Sequence, residues 1–278
     1  NLYPEIGNIT TNILSGKDLN IEALVALEPE VVYYNAADKA DLEKLENAGL
    51  TAVAFSPTKW KFDVIETYRQ WIGLLDQIYP SSSKNAKLVD QYSTDIYNMI
   101  QETVAGVEQP QKILFLYQYD ENAMITSSSR FFGEWWAKAA GGVNVASDVQ
   151  AETANAKITM ENVYEWNPDV IFITNFTKAT PEDLYSNAIG TDDWSTVKAV
   201  QDHRVYKMPM GTYRTYTPSS DTPMTLLWMA QAVYPELFAD VDVRAEVKDY
   251  YSQLFGITLT DDQIDRMYTP NAAASEMN

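Results

Sequence analysis

Two stretches of the chain, one in each half, share an order of polar and hydrophobic positions. Residues 22–34 and 161–173 each open with an acid, continue with apolar positions at helical spacing, and then turn at a proline followed by an acid. Both end in a run of apolar and aromatic residues, which predicts a short helix, a turn and a buried strand. Since continuous apolar strands are typical of parallel sheets covered by helices, the repeat indicates two α/β lobes, although two unrelated helix–turn–strand units would look the same.

Other segments fit the same fold class. Short apolar runs predict strands over residues 51–55, 112–117 and 204–208, and a helix over 37–48 ends at Gly49. Between the halves, residues 81–107 carry apolar side chains at helical spacing and predict one long helix. The periodicity alone would also suit an ordinary amphipathic helix inside a single domain.

We therefore predict an α/β protein of two lobes, each a mainly parallel sheet flanked by helices, joined by one long connecting α-helix. The predicted divisions are an N-terminal lobe over residues 1–80, a connecting helix over 81–107 and a C-terminal lobe over 108–278. No apolar run approaches the length of about 20 residues that spans a bilayer.

Charge and composition limit the classes of binding partner and of chemistry that the protein could use. A formal net charge of -19 argues against nucleic-acid binding, which needs clustered Lys and Arg to neutralise phosphates. The chain has no cysteine, which excludes disulfides, thiolate metal sites and cysteine nucleophiles. These properties leave the cellular compartment open.

The sequence shows no recognisable catalytic constellation. His203 is the only histidine and lies in a polar turn before a predicted strand, where solvent exposure is the usual state. One histidine leaves no basis for a multi-histidine metal site and makes a Ser-His-Asp triad improbable. Carboxylate chemistry stays open because the 39 acidic residues offer many accidental pairs, none with a distinctive spacing.

Several motifs in a fixed order carry a family resemblance. They are Asn20-Ile21-Glu22 leading to Tyr34, Arg130-Phe131-Phe132-Gly133-Glu134 with Ala140-Gly141-Gly142-Val143-Asn144, residues 158–173, Trp194-Ser195 with Arg204-Val205-Tyr206, and Leu226-Leu227-Trp228-Met229-Ala230 with Tyr234-Pro235-Glu236. Together they resemble the class III periplasmic binding proteins of ABC importers, the receptors for iron-siderophores, haem and cobalamin. The resemblance covers nearly the whole chain, but family members begin with a further strand and helix, which we expect the N-terminal lobe to lack.

The resemblance implies a non-enzymatic, extracytoplasmic, monomeric protein, either periplasmic or lipid-anchored at the outer face of the cell membrane. Its partners would be an ABC permease with its ATPase, and it would need no cofactor or resident metal. In this family an acid on each lobe docks on the permease, and the matching positions are Glu22 and Glu161. Both residues would equally suit helix starts, where an acid favours the helix dipole.

The ligand should lie on loops at the carboxyl ends of the strands, where open α/β sheets bind ligands. Aromatic and arginine side chains in these loops combine stacking faces with cationic donors, which suits a bulky anionic chelate. The candidate contacts are Tyr119, Arg130, Asn175, Tyr213, Arg214 and Tyr216, with Tyr3 and Trp60 from the N-terminal lobe. Each would also suit an ordinary packed loop, and Arg130 a helix-capping segment.

An iron-siderophore or similar metal chelate is the expected ligand. Haem, cobalamin, a nickel chelate or an oxyanion such as molybdate would use the same fold. The alternative from another class is a cytosolic α/β enzyme that acts through carboxylates or a divalent cation.

Overall fold

The computed structural model describes residues 8–9, 13–15, 18–80, 83–150 and 155–275, and the chain divides into two compact units, Asn1–Lys59 and Trp60–Asn278. The first unit contains the strands β1 (Leu14–Ser15), β2 (Asp18–Leu19), β3 (Val32–Asn35) and β4 (Ala52–Phe55) and the helices α1 (Ile21–Ala26) and α2 (Lys39–Asn47). β1 and β2 pair antiparallel, whereas β3 and β4 pair in parallel. The predicted helix before Gly49 is present, and Gly49 follows it with a φ of 70°, a conformation that glycine adopts readily.

The second unit is built on one mixed sheet with helices packed against it. Its strands are β5 (Lys112–Tyr119), β6 (Met124–Ser127), β7 (Val143–Asn144), β8 (Asn155–Ile158), β9 (Val170–Ile173) and β10 (Val205–Lys207). Its helices are α3 (Val64–Ile78), α4 (Ser83–Val104), α5 (Phe132–Ala139), α6 (Met160–Trp166), α7 (Pro181–Tyr185), α8 (Lys198–Gln201), α9 (Thr222–Val233), α10 (Val243–Phe255) and α11 (Asp261–Tyr268), followed by a short 3-10 helix, Ala272–Ser275. The strand order is β10-β9-β5-β6-β8, with β7 also paired to β5.

The centre of this sheet is parallel and buried on both faces. β5, β9 and β10 run in the same direction, and the side chains of β9 are all buried. On one face the rings of Phe115 and Phe172 stack with centroids 5.7 Å apart, and Phe172 also meets Trp228 of α9. The opposite face packs Leu114 and Ile171 into a second apolar cluster. This continuous burial is the reason that the sequence shows apolar runs rather than alternation.

The antiparallel part of the sheet was not predicted. β6 pairs antiparallel with both β5 and β8, and it includes Thr126 and Ser127, which belong to a polar stretch of the sequence. Both residues are fully buried, and the Thr126 hydroxyl donates to the Phe115 carbonyl oxygen at 2.7 Å. Their hydroxyls find partners inside the fold, so a run that looks polar forms an interior strand.

The predicted long helix is present as α4. Its buried residues Val89, Ile96 and Ile100 recur at helical spacing, and the helix packs against α3, α5, α9 and α10 of the second unit. Gly141 lies against the end of α4, where a Cβ would come within 2.9 Å of Val104. The division into compact units falls at Lys59 rather than at residue 80, and the predicted lobe boundaries stay predictions. Within the described ranges, no helix combines the length and apolar character that a membrane crossing requires.

Candidate functional site

The carboxyl ends of β5, β9 and β10 meet at one edge of the sheet, and hydrogen bonds fix the loops that leave them. Thr174 Oγ1 donates to the Tyr117 carbonyl oxygen at 2.7 Å, and Thr177 Oγ1 donates to the Tyr119 carbonyl oxygen at 2.6 Å. Asn175 Nδ2 donates to the carbonyl oxygens of Met208 and Pro209, at 2.7 and 2.9 Å. The loop after β9 is therefore tied to both neighbouring strands, and the edge forms a rigid platform.

Four aromatic rings and one guanidinium group come together on this platform. The ring of Tyr117 stacks on Phe176 at 5.0 Å and meets Phe131 edge-on at 5.1 Å. The guanidinium of Arg214 lies 4.8 Å from the centroid of Phe176 and 5.9 Å from that of Tyr213. We call these five residues the aromatic–arginine cluster. It presents flat apolar faces beside a positive charge.

Arg214 is the electrostatic centre of the cluster. Its side chain is buried, and its Nη2 donates to the carbonyl oxygen of Ser275 at 3.0 Å. Among the residues that the structure describes, no carboxylate forms a salt bridge with it. Burial raises the pKa of the Tyr117 hydroxyl and nearby Tyr213 raises it further, whereas the charge of Arg214 acts in the opposite direction. Within the described residues, this buried cation therefore has a carbonyl oxygen and aromatic faces as its partners and no acid.

Three of the predicted ligand residues have their side chains in the interior. The Tyr216 hydroxyl accepts the backbone N–H of Gly133 at 2.9 Å. The Tyr119 hydroxyl donates to Asp192 Oδ2 and accepts Trp194 Nε1, each at 2.9 Å. The side-chain amide of Asn175 donates to the carbonyl oxygens of Met208 and Pro209. All three hold the platform together in this structure, and ligand contact by them stays a prediction.

The remaining predicted ligand residues differ in how they are placed. Tyr213 is half exposed, and Arg130 is exposed beside Phe131, immediately before α5. Trp60 is half-buried in the turn before α3, where its carbonyl oxygen accepts the N–H of Asp63 at 3.0 Å. Tyr3 lies outside the described residues.

Sequence reasoning missed Tyr117, Phe131 and Phe176 as candidate contacts. Tyr117 is the last residue of the predicted strand 112–117 and Phe131 belongs to a family motif, so neither was named as a ligand contact, although each lies near the carboxyl edge of the sheet. A useful signal would have been the half-burial expected of an aromatic residue at a strand end, which the linear pattern does not distinguish from full burial.

The two proposed docking acids occupy equivalent positions. Glu22 and Glu161 are each the second residue of a helix, α1 and α6, and both side chains are exposed. A hydrogen bond from Thr159 and one from its own backbone N–H lower the pKa of Glu161. The repeat extends to the backbone, since Glu28 and Asn167, at matching positions after the helices, have φ values of 48° and 42°. The predicted duplication is therefore present in the structure, and docking stays a prediction.

Other chemistry finds little support in the described part of the chain. His203 is exposed in a turn with a φ of 54°, as the sequence predicts, and its ring lies 4.8 Å from that of Tyr185. In the same residues no group of three or more histidine, aspartate or glutamate side chains is arranged to hold a metal ion.

Comparison with known proteins gives a consistent result. A family model described as "Periplasmic binding protein" matches residues 6–211. The molybdate-binding protein MolA of Haemophilus influenzae is 24% identical, over 95% of this chain and 78% of that protein. An iron-uptake system-binding protein of Bacillus subtilis is 24% identical over 67% of this chain and 57% of that protein. The crystal structure of a periplasmic solute binding protein from Veillonella parvula superposes with a TM-score of 0.82 at 27% identity, covering 96% of this chain and 78% of that one.

Proposed function

This chain belongs to the class III periplasmic binding proteins, the extracytoplasmic substrate-binding components of ABC importers, and on that basis we propose that it captures a bulky anionic metal chelate of the iron-siderophore type. The proposed contact surface is the aromatic–arginine cluster. Its ligand would then pass to the membrane permease, and the protein itself would carry out no chemistry.

The observation that carries the proposal is the Arg214 guanidinium within cation–π distance of the rings of Phe176 and Tyr213. Flat rings give a large contact area to the aromatic or planar groups that surround a chelated metal. The positive charge favours an anionic complex, and its partial desolvation strengthens that attraction. A relative named for iron uptake is in accord with such a ligand.

Molybdate or another oxyanion is the second candidate, because the relative named for molybdate binding aligns with 95% of this chain. A small tetrahedral anion is bound by several hydrogen-bond donors and gains little from contact with aromatic rings. Arg214 and the exposed Arg130 would be its donors on this platform. Haem, cobalamin and nickel chelates resemble the iron chelate in this respect, because they would contact the aromatic rings of the cluster.

We further propose that Glu22 and Glu161 dock on the permease. Two exposed carboxylates at repeated positions, one in each compact unit, offer two equal charged contacts to a partner. Attachment to the outer face of the membrane through a lipid is part of the same proposal, as a relative is named a substrate-binding lipoprotein.

Thermal stabilisation by a panel of compounds tests the ligand class. The panel contains a ferric tris-hydroxamate, a ferric tris-catecholate, haem, cobalamin and molybdate, each added to purified protein. A ligand that binds only the folded state raises the melting temperature with concentration, as RT ln(1 + [L]/Kd) requires. We expect the ferric tris-catecholate, whose core is anionic, to raise it and to quench tryptophan fluorescence more than the tris-hydroxamate, whose core is neutral. A response to molybdate alone would replace the chelate by the oxyanion, and turnover of any compound would favour an enzyme.

A further inference from the structure

The loop that carries Tyr213 and Arg214 is held partly by hydrogen bonds of its own. Met210 and Arg214 form an isolated antiparallel bridge, and the N–H of Gly211 donates to the Tyr213 carbonyl oxygen at 3.1 Å. None of these bonds involves Thr212, so the conformation at Thr212 depends on groups outside the loop.

A buried carboxyl group supplies that support. Asp221 lies immediately before α9 and is 3% exposed. Its Oδ2 accepts the backbone N–H of Thr212 at 2.7 Å and the Thr212 hydroxyl at 2.5 Å, and its Oδ1 accepts the hydroxyl of Tyr251. A Cβ on Gly211 would come within 2.3 Å of Asp221, so the loop backbone packs directly on the carboxyl group.

No described basic side chain pairs with Asp221, and the groups around it are phenols. Tyr68 from α3, Tyr250 and Tyr251 from α10, and Tyr268 from α11 all lie within electrostatic reach of the carboxyl group. Burial raises the pKa of Asp221, whereas the hydrogen bonds from Thr212 and Tyr251 act in the opposite direction. A buried acid without a cation costs stability, and it is retained here at the base of the loop.

The C-terminal segment holds the same loop at two further points. The N–H of Met210 donates to the Met267 carbonyl oxygen at 2.8 Å, and Arg214 Nη2 donates to that of Ser275. Together with Tyr251, these contacts come from residues 251–275, beyond the 6–211 range that the family model matches. The loop therefore takes its shape from a part of the chain outside the matched core.

We propose that Asp221 is a positioning residue, which never touches the ligand but holds Thr212, and through it Tyr213 and Arg214, in the binding conformation. This inference rests on the proposed function, because it assigns a purpose to the loop only if the loop binds the ligand. It explains why a carboxyl group with no basic partner among the described residues lies directly below that loop.

The test compares Thr212→Val with Thr212→Ser, because the Thr212 side chain is exposed and neither change should prevent folding. Valine keeps the shape and removes the hydroxyl that Asp221 accepts, whereas serine restores that hydroxyl. We expect Thr212→Val to weaken binding of the ferric chelate that responds in the panel about tenfold, the effect of losing one hydrogen bond. Thr212→Ser should recover most of the affinity, and the melting temperature should be similar in both.

Two further variants distinguish failure of the positioning role from failure of the proposed function. Ser220→Ala removes the other partner of the Thr212 hydroxyl, 3.1 Å away, and should leave affinity unchanged. Arg214→Gln should weaken binding directly. If Arg214→Gln weakens binding but Thr212→Val does not, the positioning role of Asp221 is wrong and the proposed function stands. If neither variant changes affinity, the chelate does not bind at this loop, and both the positioning role of Asp221 and the proposed contact surface are wrong.

Discussion

The run of residues 213–216 illustrates what a sequence can and cannot say about a single side chain. Its composition predicts a loop with aromatic and cationic groups, and the structure contains that loop. The side chains differ in environment, since Tyr213 is 50% exposed whereas Arg214 and Tyr216 are buried. Whether a loop side chain faces inward depends on distant partners, here Ser275 for Arg214 and Gly133 for Tyr216, and no local pattern encodes them.

Lys207 is a buried amine that the sequence analysis did not single out. It lies at the end of β10, and its Nζ donates to the carbonyl oxygens of Thr177 and Ala179 at 2.6 and 2.7 Å. Burial lowers the pKa of Lys207 to about 7, a shift that Asp183 opposes and Arg214 increases. These hydrogen bonds connect the loop after β9 to the end of β10. Burial of a charged amine there would lower the stability of the fold.

Replacement of Lys207 by methionine tests this account through pH. The unfolded chain holds its lysine proton up to a pKa of about 10.4, so between about pH 7 and 10 the unfolded state binds more protons. The contribution of Lys207 to the free energy of unfolding therefore rises with pH across this range and is lost as the pH falls through about 7. We expect the melting temperature of the wild type, relative to that of Lys207→Met, to increase between about pH 6 and pH 9. A difference in melting temperature that does not change with pH would contradict the buried, near-neutral amine.

At the scale of elements, the repeated helix–turn–strand unit could be predicted because its signals are local. An acid near a helix start, a proline after the turn and an apolar strand each follow from backbone chemistry. The structure adds a shared left-handed residue, Glu28 in one copy and Asn167 in the other. The strands β6 and β8 could not be predicted, since neither is a continuous apolar run and the two pair with each other across a long stretch of intervening chain.

The left-handed turn predicts an unusual order of stability at Asn167. Alanine at a φ of 42° is strained, whereas glycine is not, and both substitutions lose the hydrogen bond from the Lys198 N–H to Asn167 Oδ1. We expect Asn167→Gly to be more stable than Asn167→Ala by about 1 kcal/mol in chemical denaturation. At Glu165, an exposed residue in α6, the same pair should show the opposite order, because glycine weakens a helix. Equal stability of the two Asn167 variants would be inconsistent with the turn described.

For the whole molecule, the family could be predicted from the order of motifs along the chain, and the match over residues 6–211 confirms it. The ligand could not, because loop side chains at the carboxyl edge decide it and the shared fold does not. The same holds for charge, since a formal net charge of -19 excludes few partners beyond nucleic acids.

The proposed docking acids make a prediction that involves both compact units. The double variant Glu22→Lys and Glu161→Lys should keep ligand-induced thermal stabilisation, because neither acid belongs to the aromatic–arginine cluster. Ligand uptake by cells, or by vesicles containing the permease and ATPase, should be abolished. Glu43→Lys on α2 and Glu165→Lys on α6 serve as controls, since both are exposed acids on the same units and should transport normally. Lost ligand affinity, or normal uptake by the double variant, would end the docking proposal.

The central claim is that this binding protein carries an anionic metal chelate. Native mass spectrometry of protein purified from its own host measures this directly, because a tightly bound ligand stays on the protein through purification. We expect an added mass with the isotope pattern of iron, which disappears in the Arg214→Gln variant, together with visible absorbance of the bound complex. An added mass with the isotope pattern of molybdenum, or an organic ligand without a metal, would contradict the account.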